Sequence, residues 1–160
     1  MLADTSQGGQ AMTLLSRRTV LMITLISAAP LRAQNSTPRP EKRVVIRGYD
    51  PVAYFTEGRP VKGMPEFKAD FDDMTYWFVS AKHRDMFMAD PDRYAPQFSG
   101  LCTISMSMGQ LAEPDPEAWA IADGRLYLFS AKAGVAYFQQ QPANVIAKAA
   151  QVWPSLQKVQ

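Results

Sequence analysis

A seven-residue run, Tyr76-Trp77-Phe78-Val79-Ser80-Ala81-Lys82, returns 50 residues later as Leu126-Tyr127-Leu128-Phe129-Ser130-Ala131-Lys132. Each copy reads as a strand that feeds a helix through a Ser at the N-cap, and Phe87 in the first helix is matched by Tyr137 in the second. Two origins stay open. Strand-to-helix junctions favour Ser followed by helix formers wherever they occur, and an internal duplication would leave the same trace. Either way the expected fold is α+β, a small single domain of two hairpin-plus-helix units with a C-terminal helix.

The remaining segments fit that frame. Arg43 to Arg47 (RVVIR) reads as a short strand, and Asp50 is placed to cap a helix with Pro51 at its first position, running through Val52, Ala53, Tyr54 and Phe55. Phe67–Phe71 and Thr75–Val79 form a hairpin around Asp72-Asp73-Met74, and a helix from Ala81 ends before Asp90-Pro91. Pro114 and Pro116 mark a surface loop, and Asp123-Gly124 turns the second hairpin into Arg125–Phe129. A last helix from Ala143 carries Val145, Ile146, Ala149 and Val152 on one face.

The N-terminal part has a different character. Arg17 and Arg18 precede an uncharged run from Thr19 to Ala29. Eleven residues at about 1.5 Å each span about 16 Å, roughly half a bilayer core, which fits a cleavable leader rather than a membrane anchor. Ser16-Arg17-Arg18-Thr19-Val20-Leu21 resembles a twin-arginine signal, and a general secretory signal containing two arginines is the alternative. Residues 1–33 are therefore read as an export signal, with Met12 as an alternative start, and 34–42 as a polar linker. The expected location is the bacterial periplasm. Removing Arg17, Arg18, Arg32 and Asp4 cancels the formal +2 and leaves a neutral chain with no basic stripe for nucleic acid.

Gly48-Tyr49-Asp50-Pro51-Val52-Ala53-Tyr54-Phe55, the spacing of Tyr76, Phe78, Ser80, His83, Arg84, Asp85 and Phe87, and Asp90-Pro91 with Tyr94-Ala95-Pro96 resemble the exported branch of the YHS-domain proteins. The resemblance runs on through Ser99-Gly100-x-Cys102, Asp115-Pro116-x-x-Trp119, Asp123-Gly124-x-Leu126-Tyr127-Leu128 and Trp153-Pro154, and gives the domain limits 43–156. It implies kinship with metal-sensing domains of copper and heavy-metal proteins. Those relatives often carry cysteines near the strand end and early in the helix, whereas residues 78–83 here hold none. In the exported branch a Cys recurs where Cys102 stands, and Tyr76, His83 and Ser80 match the family's named positions.

One Cys and one His exclude an internal disulfide and a zinc site built from Cys and His alone. Cys102 has two readings, a small buried hydrophobe or a working thiolate that needs a neighbouring group to lower its pKa. His83 is a hydrogen-bonded structural residue or a ligand. Met86 and Met88, and Met106 and Met108, fill the core or offer thioethers suited to Cu(I). If 102–108 is extended, Cys102, Met106 and Met108 share a face; if it is helical, Cys102 and Met106 pair.

The expected function is soft-metal binding, of copper or a similar ion, by Cys102, His83, Met106 and Met108. A thiol-dependent redox protein with Cys102 as its catalytic residue is one alternative, and a non-catalytic module binding an envelope protein is another. No Ser-His-Asp order, phosphate loop, H-E-x-x-H, EF-hand or dinucleotide fingerprint is present.

Overall fold

The computed structural model describes residues 41–157; the leader with Met12, and the linker up to residue 40, lie outside the described residues. The helices are α1 (Ala53–Thr56), α2 (Ala81–Ala89), α3 (Pro91–Tyr94), α4 (Thr103–Ser107), α5 (Lys132–Gln140) and α6 (Pro142–Leu156). The strands are β1 (Met64–Phe71), β2 (Met74–Phe78), β3 (Asp115–Ala122) and β4 (Arg125–Phe129). They form two separate antiparallel hairpins, β1 with β2 and β3 with β4, so the domain is α+β. Among the described residues no helix is long and apolar enough to cross a membrane.

The two hairpins match residue for residue. Met64 pairs with Phe78, the register then slips, and pairing resumes at Lys68 with Trp77. Asp115 pairs with Phe129, slips in the same place, and resumes at Trp119 with Leu128, so the spacing is 51 residues throughout, as from Met64 to Asp115. A proline follows the first pair in each copy, Pro65 and Pro116. Lacking an N–H, it cannot continue the ladder, which accounts for the slip. Both turns use left-handed residues, Asp72 and Asp73 in one and Asp123 and Gly124 in the other.

The same spacing relates α2 to α5, and it corrects the alignment expected from Ser-Ala-Lys. Phe87 matches the buried Phe138, not Tyr137, which is half exposed. Phe87 stacks on Tyr76 at 4.6 Å and 36° and on Phe78 at 5.2 Å and 52°. Phe138 stacks on Tyr127 at 5.3 Å and 37° and on Phe129 at 5.1 Å and 52°. Ring packing at a strand–helix contact demands matching rotamers and register, so it decides the alignment better than three small residues do. Ser80 is a true cap, accepting the His83 amide at 3.2 Å. Its structural counterpart is Ala131, which has the same extended backbone and caps nothing; Ser130 lies one residue earlier and donates to the Glu113 carbonyl.

Two further expectations give way. The strand over Arg43–Arg47 is reduced to a single bridge from Val44 to Thr75, followed by a turn in which Ile46, Arg47 and Gly48 all take positive φ. Phe98, Ser99 and Gly100 repeat that turn. Three left-handed residues in succession cannot lie in a pleated strand. Only glycine fits the third place, because a Cβ on Gly48 would sit 2.4 Å from the Trp77 ring and one on Gly100 2.8 Å from Val45. Pro114 and Pro116 are buried rather than on a surface loop: Pro114 immediately precedes β3, alternation along β3 turns Pro116 inward with Ala118, and Tyr54 donates to the Pro116 carbonyl at 3.0 Å.

The core lies on both faces of β4. Leu126 and Leu128 join Val45, Ile46, Tyr54, Phe78 and Phe87, while Tyr127 and Phe129 face Cys102, Phe138 and Val145. A third cluster under α6 holds Leu101, Met106 and Ala149.

Candidate functional site

After each left-handed turn the chain places a potential anion two residues beyond the glycine, Asp50 after Gly48 and Cys102 after Gly100. Asp50 is fully buried. Its Oδ1 accepts the amides of Val52 at 2.8 Å and Ala53 at 3.3 Å, and its Oδ2 accepts the Val79 amide at 2.9 Å. His83 completes the set, with Nδ1 2.7 Å from Oδ2. A carboxylate that already accepts three amides leaves Nδ1 to act as the donor. The backbone amide of Asp50 in turn donates to the Val61 carbonyl at 2.9 Å.

Cys102 sits in the copy of that cradle. Its amide donates to the Ala112 carbonyl at 2.9 Å, as Asp50 does to Val61. Its Sγ accepts the Ser105 amide at 3.5 Å, from the third residue along, just as Asp50 accepts Ala53. Ser130, the counterpart of Val79, is the distal residue whose amide favours the thiolate. Burial by itself would raise the thiol pKa. The hydroxyls and amides of Ser105 and Ser130 more than offset it, so the net shift is downward. The Ser130 hydroxyl donates its one hydrogen to the Glu113 carbonyl at 2.9 Å.

One partner has no counterpart. The place of His83 is taken by Gly134, and the space beyond it is closed by Phe129 and Ile104, which a Cβ there would meet at 3.2 and 3.5 Å. The thiol therefore accepts the Ser105 amide but has no imidazole beside it. Beside it in the chain, Thr103 is fully buried, with a hydroxyl that finds no partner among the described residues. An orphaned buried hydroxyl is uncommon and marks a place where a further polar group would be stabilised.

The four expected metal donors are spread out. Cys102 packs with Ala118, Tyr127, Phe129, Phe138 and Val145; Met106 packs with Leu101 and Ala149; Met108 is exposed; His83 is bound to Asp50. The segment is helical at 103–107, so Cys102 and Met106 are the pair that share a turn, linked by the Met106 amide to the Cys102 carbonyl at 2.9 Å. Among the described residues no three His, Cys, Asp or Glu side chains group as they would around a metal ion.

Sequence reasoning gave Asp50 only a capping role, and missed Ser105, Ser130 and Thr103. The signal that points to the cradle is the shared Gly-x-Asp and Gly-x-Cys, at Gly48 and Gly100. Compared with family models, with curated proteins and with solved structures, the chain matches none.

Proposed function

We propose that this is an exported YHS-type domain whose working group is the Cys102 thiolate, serving as a redox-active thiol. The observation that carries the reading is the substitution of Cys102 for Asp50 in a duplicated cradle. A cradle of amides that holds a carboxylate in one copy stabilises an anion in the other, and the downward pKa shift is the consequence. At 3% exposure Cys102 admits small reagents only. Hydrogen peroxide is the matching class: the thiolate attacks one oxygen, the O–O bond breaks, and sulfenic acid and hydroxide result. With one Cys in the chain, an outside thiol must reduce it. The leader with Arg17 and Arg18 supports placement in the periplasm.

A second reading, binding of a soft ion such as copper(I), is favoured by Cys102 and Met106 lying one helical turn apart. One experiment separates the two: treat the reduced protein with peroxide, trap sulfenic acid, and titrate copper(I) against a competing chelator. Sulfenic acid in the parent but not in Cys102→Ser supports the redox reading. Absence of sulfenic acid together with copper binding lost in both Cys102→Ser and Met106→Leu supports the metal reading instead.

A further inference from the structure

The duplication breaks where α6 outgrows its counterpart. Gln141 and Asp90 share one backbone conformation, with φ −150° in both and ψ 56° and 70°, and each is followed by a proline that opens a helix. The first copy, α3, stops at Tyr94, whereas α6 runs on from the matching Val145 to Leu156. In the first copy Phe55 meets Tyr94 edge to face at 5.4 Å and fills the space between α1 and α3. The residues in those two places in the second copy are Ser107 and Val145. Replacing two rings by a hydroxymethyl and an isopropyl group leaves the space open. A pocket of about 300 Å³ lies there, lined by Ile104, Ser107, Met108, Tyr137, Asn144, Val145 and Lys148.

The lining specifies a ligand. Ile104, Met108, Val145 and the Tyr137 ring give apolar walls. The Ser107 hydroxyl donates to the Ile104 carbonyl at 2.7 Å, and the Asn144 amide donates to Gln141 at 2.9 Å, so the hydroxyl hydrogen and one of the two amide hydrogens are engaged within the chain. Lys148 carries the formal charge of the pocket and lies beyond the end of the shorter copy. Among the described residues no carboxylate forms an ion pair with it.

We infer that this pocket is a binding site for a small monoanion with an apolar body, the simplest class being an arylalkyl carboxylate. The volume equals about ten waters, which fits a ligand of about ten non-hydrogen atoms, near the lower limit for small-molecule sites. The carboxylate pairs with Lys148, and the apolar part covers Ile104, Met108 and Val145 against Tyr137. The site is distinct from the thiol, which does not line it, and its test does not depend on chemistry at Cys102.

The test is a titration with phenylacetate followed by two-dimensional NMR of the labelled protein. Saturable shifts centred on Ile104, Val145 and Lys148 are expected. Binding in Lys148→Met, and of neutral phenylacetamide to the parent, should each be about tenfold weaker or worse, since a charge-assisted hydrogen bond is lost. Ser107→Phe, which restores the residue type of the first copy at a partly exposed position, should abolish binding while leaving the remaining spectrum in place. Shifts that do not saturate, that lie elsewhere, or that are equal for the amide and for both variants would overturn the assignment.

Discussion

The two hairpin-plus-helix units share turns, register slip and ring stacking, yet they use the same cradle differently. The first holds a buried carboxylate closed by an imidazole, Asp50 with His83; the second holds a thiol, Cys102, with a glycine where the imidazole would stand. Burial differs as well. In β2 only Tyr76 and Phe78 are buried, whereas Leu126 to Phe129 are all buried in β4, which separates two apolar clusters. The first copy is thus closed around the pair of Asp50 and His83, and the second is the central element that carries the thiol. What repeats is backbone geometry and aromatic packing; what diverges is the anion and its company, which is where chemistry can change without disturbing the fold.

The strongest challenge to the equivalence is truncation of the two stacked rings. Phe87→Ala and Phe138→Ala should each cost about 3–5 kcal/mol in urea unfolding. A cost below about 1 kcal/mol for Phe138→Ala alone would separate the units. Next come the cradles. Asp50→Ala leaves three buried amides and His83 without their acceptor and should also destabilise by about 3–5 kcal/mol. Cys102→Ala should cost only about 1–2 kcal/mol, because fewer and longer hydrogen bonds converge on sulfur.

Smaller effects sharpen the contrast at the junction serines. Ser80→Ala removes a helix cap and should cost about 1 kcal/mol. Ser130→Ala removes no cap; its expected signature is a rise in the Cys102 pKa, read from the thiolate ultraviolet absorbance against pH.

Stability against pH offers a further comparison. A thiol whose folded pKa lies below its unfolded value adds stability that is fully present above the unfolded value, about 8.5, and is lost as the pH falls through the folded pKa. The stability of the parent minus that of Cys102→Ser should therefore rise with pH and level off above about 8.5. Tyr76 acts in the opposite sense at higher pH. Burial first, and then the Asp72 charge, push its pKa up to about 12, so its contribution falls away between about 10 and about 12. A flat difference between parent and variant from neutral pH to the onset of tyrosine ionisation would contradict the thiolate.

Much of the fold was legible because turn and cap chemistry is local. Asp72-Asp73, Asp123-Gly124, Ser80 and Asp90-Pro91 each mark a boundary by what their own backbones and side chains can do, and α6 followed from its apolar face. The left-handed turns were not legible, since Ile46 is a β-branched residue in a conformation that such residues rarely adopt, held there by complete burial. The true offset was hidden by Ser-Ala-Lys, whose match at 50 residues competes with a packing match at 51 that is visible only in three dimensions, as from Phe87 to Phe138. At the site, Cys102 could be singled out because it is unique, but its donors could not. Ser130 reaches it across the sheet, and Asp50 meets His83 from 33 residues away.

The central claim is that the second cradle holds an anion as the first does. Its most direct measurement is the pKa of the Cys102 thiol in the folded protein, followed by thiolate absorbance with Cys102→Ser as the blank. A midpoint below that of the same thiol in the denatured chain is the expected result, and one at or above it would contradict the account.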